Sequence, residues 1–324
     1  MRNTLKFIFK RILTGLITLW LVITITFFLL HKLPGDPFDS EKAIPPQIKA
    51  NLMQMYDLDK PLSVQYGKYL KNISKGDLGI SMKERGRTVN SIIKRSFPVS
   101  ADLGIRAVLF GLIFGIPLGI AAALQRGKKM DHFSMIIAVI GISVPSFVIA
   151  GLLQLYAVGV HKGILIDKLG LPLGKILLTG WDMPSKKILP VIALGFFSVA
   201  EVARLMRSKM IEIMEQDYIK LAVAKGVAPI NVVLKHALRN AILPIITVIS
   251  PSIAAILTGS FVIETMFSIG GLGKYYIGSI IDRDYTMVLG VTVFYSAFLI
   301  LMMIVMDVAY ALVDPKIKLG KGDK

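Results

Sequence analysis

The sequence predicts an all-α membrane protein with six transmembrane helices and both termini in the cytoplasm. Three observations carry that prediction. Of the 324 residues, 54% are hydrophobic and 18% charged, against roughly 45–50% apolar and about 25% charged in soluble domains. The apolar residues are bunched into blocks of the length that crosses a bilayer, about 20 residues. Lys and Arg gather on alternate connections between those blocks, as the positive-inside rule requires.

Taken in order, Arg2, Lys6, Lys10 and Arg11 precede an uncharged run from Ile12 to Leu30. That run is longer than the apolar core of a signal peptide and no small-x-small cleavage site follows it. It reads as a retained first span. The second span is Ala107–Leu124, with Arg106 at its outer edge. Phe133–Val160 is a third, uncharged and long enough to tilt. Ile188–Met206, Ala241–Ile263 and Tyr285–Leu312 complete the set, the fourth and sixth holding Glu201, Arg204 and Asp307. Pro117, Pro145, Pro244 and Pro251 fall inside spans and are expected to kink them. Seventeen Lys and Arg lie on the segments this topology places inside, and seven on the two short outer loops.

Two soluble segments remain. Leu33–Ser100 is an outer insertion opened by Pro34-Gly35-Asp36-Pro37 and expected to form a small helical subdomain. The chain therefore divides into 1–100 (first helix plus insertion), 101–313 (a five-helix core) and a cytoplasmic tail, 314–324. Within the core, the loop 207–240 reads as two short helices, Ser208–Lys225 and one opened by Pro229, broken at Gly226.

Composition also excludes. A net charge of +17 could suit nucleic acid, but no exposed stretch interleaves basic and aromatic residues, so no nucleic-acid partner is expected. Without cysteine, thiolate chemistry and disulfides are absent, and four scattered histidines give no metal site. Gly141-Ile142-Ser143 could offer an intramembrane serine nucleophile, yet no histidine lies within another span to act as its base. A secondary transporter would want mid-membrane acids in repeated halves, whereas the charges sit mostly near span ends and no repeat is seen.

The cytoplasmic loop carries the most information. It runs Asp217-Tyr218-Ile219-Lys220-Leu221-Ala222-Val223-Ala224-Lys225-Gly226, then Lys235-His236-Ala237-Leu238-Arg239-Asn240-Ala241-Ile242-Leu243-Pro244. Small residues at Ala222, Ala224 and Gly226 permit close approach by another surface, and the flanking Lys220, Lys225 and Arg239 can pair with acids on a partner. An amphipathic helix lying on the anionic inner leaflet is the other reading of the same residues.

This segment resembles the coupling-helix signature of type I ABC importer permeases, in their peptide and nickel branch, whose pattern is D-Y-I-x-x-A-x-A-K-G followed by H-A-L-R-N-A-x-x-P. The resemblance spans most of the chain: Gly76-Asp77-Leu78-Gly79, Ser143-Val144-Pro145-Ser146-Phe147, Leu257-Thr258-Gly259-Ser260, Glu264-Thr265-Met266-Phe267, Arg283-Asp284-Tyr285 and Asp314-Pro315-Lys316 are similar to family motifs in order and spacing. One departure is Gly270, where the family usually has proline, expected to loosen the outer turn before Leu272. The chain is most similar to the B-type subunit of oligopeptide permeases, with dipeptide or nickel permeases as alternatives.

The resemblance implies a type I importer transmembrane domain. It implies pairing with a second homologous permease, two ABC ATPase subunits docked on the cytoplasmic loops, and an extracellular peptide-binding protein delivering an oligopeptide. The chain would bind no cofactor; ATP-Mg would sit on the ATPases, consistent with the lack of a phosphate-binding loop. The nearest candidate for one, Gly271-Leu272-Gly273-Lys274-Tyr275, lacks the hydroxyl residue. Coupling falls to Asp217, Tyr218, Ala222, Ala224, Lys225, Gly226, His236, Arg239 and Asn240. Pro145, Ser146, Gly259, Ser260 and Glu264 are pore or gate candidates. Glu201 and Arg204, spaced i, i+3, are expected to form a structural ion pair, and Asp307 an interhelical contact.

Overall fold

A computed structural model of the chain describes residues 2–35, 37–38, 45–84, 86–161, 179–257 and 260–313. The described residues are helical apart from turns and one isolated bridge, Ile80 to Thr88. Four helices are long and apolar enough to cross a membrane: Phe9–Lys32 of α1 (Arg2–Lys32), α4 (Val89–Leu124), α7 (Pro184–Met214) and Tyr285–Met306 of α13 (Tyr285–Val313). A fifth candidate is the pair α5 (Lys129–Ser143) and α6 (Ser146–His161), bent by 108°.

That bend corrects the expectation of one continuous third span. Pro145 has no N–H to give the helix, and its ring drives the residue before it out of the α region. Val144 accordingly sits at φ −89°, ψ 122°. Pro117, expected to kink the second span, lies within α4 without ending it, as does Pro98.

The second helix also begins earlier than its apolar run. Thr88 caps α4 by accepting the Ser91 N–H at 3.2 Å, so the helix starts at Val89 and carries Lys94, Arg95 and Arg106 outward as solvated charges. The boundary expected at residue 100 therefore falls inside a helix, and the outer insertion shares a rigid rod with the core. The rest of the insertion is two short helices, α2 (Pro46–Met55) and α3 (Leu62–Ser74). Between them Asp57, at φ 56°, is held by Lys60 and Lys68, which keep its carboxyl below the usual carboxylate range. Tyr66 bonds Thr24 at 2.7 Å and Gln65 bonds His31 at 3.1 Å, fixing α3 to the end of α1. Asp284, 2% exposed, pins the insertion from the other side. It caps α13 through the Met287 N–H at 3.0 Å, and it accepts from the Ser81 hydroxyl and the Lys83 N–H.

The centre of the bundle is the contact of α4 with α7, the most extensive helix pair. Ala107, Gly111, Gly115 and Gly119 recur every four residues along α4, a stripe without side-chain bulk that lets two backbones approach. A Cβ at Gly115 would lie 2.7 Å from Val202 Cβ and 2.9 Å from the Val199 carbonyl; one at Gly119 would lie 2.6 Å from the Ala203 carbonyl. Gly195 does the same from α7, its Cβ position 2.8 Å from the Ala107 carbonyl. Val202, Met206 and Met210 of α7 then form the inner core with Ile219, Val232, Val233, Ala237, Ala241 and Ile245.

This geometry fixes an outcome. Gly115→Leu has no room against the facing backbone and should destabilise the protein by about 3 kcal/mol or more. Gly67→Ala on α3, where a Cβ meets nothing within 4 Å, should be neutral or stabilising by about 0.5 kcal/mol. Thermal unfolding in detergent checks both, and equal melting temperatures for the two variants would refute the close-packing account.

Candidate functional site: the loop 207–240 and the Glu264 clamp

The loop 207–240 is built as a small hairpin on the end of α7. That helix runs without a break to Met214, so the expected single helix Ser208–Lys225 is two: the end of α7, then α8 (Asp217–Ala224) after a turn at Glu215-Gln216. The acidic Asp217 in the first turn of α8 suits the positive end of its dipole, and was the available signal for this start. Its ion pair with Lys220, 3.1 Å, is exposed and adds little stability.

Helix α8 ends in a Schellman motif: the Gly226 N–H donates to the Val223 carbonyl at 2.9 Å and the Val227 N–H to the Ala222 carbonyl at 3.2 Å. Gly226 has φ 77°, and a Cβ there would meet nothing within 4 Å. Glycine is therefore required by backbone conformation, and the space beside it is open. The chain returns through α9 (Pro229–Asn231) and a π-helical turn (Val232–Ala237) into α10 (Leu238–Leu257).

One side of this hairpin is anchored. Ile219, 1% exposed, sits in the core with Met206, Met210 and Val233, and Ala222 packs at its edge. Asn240 donates to Tyr218 Oη at 2.9 Å and to the His236 carbonyl at 3.1 Å, joining α8 to the first turn of α10. The other side is bare: Tyr218, Leu221, Val223, Ile230 and Leu234 are 43–62% exposed, with Ala224, Lys225, Lys235, His236 and Arg239 exposed among them. Apolar side chains clustered beside basic ones form a surface shaped for a partner.

Above this loop the expected ion pair is not made. Arg204 is exposed and no ion pair joins it to Glu201, whose Oε2 is buried without a hydrogen-bond partner among the described residues. Both carboxylate and guanidinium are on α7, but the helix turns Arg204 outward. The ion pair that does form lies lower, where Arg207 of α7 binds Asp131 of α5 with both nitrogens, one at 2.8 Å, and Asp131 also accepts the Gly127 N–H at 2.9 Å. Asp131 and Arg207 are 76 positions apart, so sequence spacing held no sign of their meeting.

At the opposite end of the bundle, Glu264 is 0% exposed, on the short helix α11 (Phe261–Met266) capped by Ser260. This excludes a solvated helix end. Its Oε2 accepts the Gly273 N–H at 2.8 Å, in the first turn of α12 (Leu272–Ile281), and Ser100 of α4 accepts the Leu272 N–H at 2.9 Å. A carboxylate at a helix N-terminus is favourable, and here it clamps the outer turn onto α4. Gly270 lies beside that turn with no positive φ, and a Cβ there would meet nothing within 4 Å. The turn is thus held from Leu272 onward without help from residue 270. Pro145 and Ser146 mark the α5–α6 break; Gly259 lies outside the described residues, as does the side chain of Asp307. A separate cavity of about 260 Å³, between α1, α3 and α13 and lined by Phe27, His31, Tyr69 and Tyr285, touches none of these candidates.

Burial pushes the Glu264 carboxyl up to about 7, against the opposing pull of Ser100 and of the Gly273 and Lys274 amides. A carboxyl raised on folding contributes most below its unfolded pKa and loses that contribution as pH rises through the folded value. The wild-type melting temperature should therefore fall between about pH 5 and about pH 8, while Glu264→Gln, which keeps an acceptor for Gly273, should lose that slope. Parallel slopes would remove Glu264 as the cause.

Comparison with known proteins agrees with this architecture. Residues 115–319 match the model of the binding-protein-dependent transport system inner membrane component, and residues 4–104 match the N-terminal model of the same membrane components. The dipeptide transport system permease protein DppB of Bacillus subtilis is 43% identical over 316 residues, covering 98% of this chain and 99% of that one. The oligopeptide transport system permease protein OppB is 42% identical in Haemophilus influenzae and 39% in Escherichia coli K12, each over 97% of this chain and 99% of the relative. An inward-facing structure of the MetNI methionine ABC transporter shares the fold, with TM-score 0.53 and 18% identity over 69% of this chain and 96% of that one. The chain belongs to the family of binding-protein-dependent transport inner membrane components, a multi-pass permease of the cell membrane rather than an enzyme.

Proposed function

We propose that this chain is one of two permease subunits of an ATP-driven importer of peptides. It crosses the membrane six times with both termini inside, α10 being the fifth span. Its 20 residues reach about 30 Å, the thickness of the hydrocarbon core. In this reading 1–100 and 101–313 work as one body joined by α4, and 314–324 is a cytoplasmic tail. ATP-Mg is held by two partner ATPases that dock on the bare side of α8, and an external binding protein delivers the solute.

The observation that carries this reading is the asymmetry of α8. Its buried side is locked to α7 and α10, and its other side presents Leu221, Val223 and Tyr218 unsheltered. A helix so mounted transmits a push into both spans, as a coupling element needs. It fits poorly with a helix merely resting on lipid, since the anchoring side would then do nothing for function. The solute follows from the relatives: OppB proteins support oligopeptides, and the similarity to a DppB protein, 43% over nearly the full length, supports dipeptides as a second reading.

ATP-driven uptake into vesicles that contain the chain and its partners is the test. Leu221→Glu places a charge on the bare side without touching the core, and should cut peptide uptake at least about tenfold, a loss of roughly 1.4 kcal/mol of coupling, while the two permeases still assemble. Unchanged uptake would remove α8 as the coupling element. Oligopeptides and dipeptides compared in the wild type separate the two solute readings, and uptake of neither would point to nickel.

A further inference from the structure

Helix α7 is covered on most of its circumference. Gly195, Ser198, Val202 and Met206 face α4, Phe196 and Ala200 face Gly141 of α5, and Val202, Met206 and Met210 also meet the residues of the π turn and α10. At 3.6 residues per turn, positions 197, 201, 204 and 208 fall opposite the α4 contact. They form the one stripe of this helix left open in its middle: Phe197 is 38% exposed, Arg204 and Ser208 are exposed, and Glu201 is half-buried.

The chemistry of that stripe sets it apart from the other open faces of the bundle. Ile12, Leu16 and Trp20 on α1, Ile136, Val139 and Leu152 on α5 and α6, and Leu301, Met303 and Val305 on α13 are all exposed and all apolar. Those faces suit hydrocarbon. The α7 stripe instead puts a carboxylate and a guanidinium in the second half of a membrane-spanning helix, with a hydroxyl one turn further on. An ionised side chain facing hydrocarbon is costly, about 3 kcal/mol at the bilayer centre, and such residues face water or protein. Glu201 keeps one oxygen without a hydrogen-bond partner, and no ion pair ties it to Arg204 among the described residues. Toward the cytoplasm the stripe continues through Ser208 to Glu212, also exposed, so it forms an unbroken polar track from mid-span to the inner surface. A dry contact with another subunit would need a counter-charge for each group, whereas water beside the open side of the helix needs none.

We infer that the face of α7 formed by Phe197, Glu201, Arg204 and Ser208 lines the aqueous path of the solute. Glu201 and Arg204 stand three residues apart, about 4.5 Å along the axis, and present both signs of charge to one passing molecule. That pattern suits a zwitterion, whose ammonium and carboxylate find opposite partners on the same wall. The assignment to peptides rests on the function proposed above; the assignment of the wall does not.

The sequence has no cysteine, so a single introduced thiol reports its own surroundings. Phe197→Cys, Arg204→Cys and Ser208→Cys, with Leu16→Cys and Ile136→Cys as apolar-face controls, would be made in membranes holding the chain with its partner subunits. A charged methanethiosulfonate supplied from the cytoplasmic side should modify the three stripe positions at least about tenfold faster than the controls, since a charged reagent avoids hydrocarbon. A saturating peptide should slow that reaction. Stripe cysteines no faster than the controls would overturn the inference, and so would resistance to the reagent together with ready disulfide formation to a cysteine placed in the second permease. Fast labelling that no peptide slows would uphold the wall and overturn the peptide reading. Ser208→Cys, in the loop 207–240, sets the rate for a water-exposed thiol, and Phe197→Cys, on an exposed side chain well inside the span, keeps the test valid if loss of the Arg204 charge disturbs folding.

Discussion

The structure depends on how closely α4 and α7 approach one another. Lipid tails are as apolar as leucine, so nothing hydrophobic drives two membrane helices together, and association rests on packing. Ala107, Gly111, Gly115 and Gly119 remove the side chains from one face of α4, and the backbone of α7 enters the space they leave. Contacts that close are intolerant of added volume. The pair therefore moves as one body, and every other helix is placed by what it packs against on that body.

Polar clamps at both ends fix the pair along its axis. At the start of α7, Asp102 of α4 accepts from Trp181 Nε1 at 3.1 Å and from Lys187 Nζ at 2.9 Å, the latter in the first turns of α7. Nearby, Ser100 and Glu264 hold the start of α12 against α4. Toward the other end of α7, Asp131 and Arg207 tie α5 to it. Buried ion pairs add little net stability once desolvation is counted, but they punish misalignment severely. Here they set register, and the glycine stripe sets distance.

Two features depart from that rigidity. Helix α8 hangs from the inner end of α7 with one side locked in the core and the other bare, so a force on it has nowhere to go but the spans. The break at Val144-Pro145 bends the third hydrophobic segment by 108°, with α5 and α6 each packed on α7.

The sequence by itself determined the class, the apolar blocks and the loop that bears the signature residues. These are local or compositional properties, legible because hydrocarbon demands long uncharged runs and because Gly226 and Pro229 punctuate a helix wherever they occur. Asp284, one position before a long apolar helix, was readable as a cap for the same reason. Only the tertiary structure decided which charges meet. Glu201 and Arg204 have ideal helical spacing and share the side of α7 opposite α4, yet no ion pair joins them among the described residues, and where that side looks is set by Gly111–Gly119 on another helix. Asp131 finds Arg207 and Glu264 finds Gly273 by the same long-range placement. Spacing along one helix fixes which residues share a face; packing between helices fixes what that face looks at.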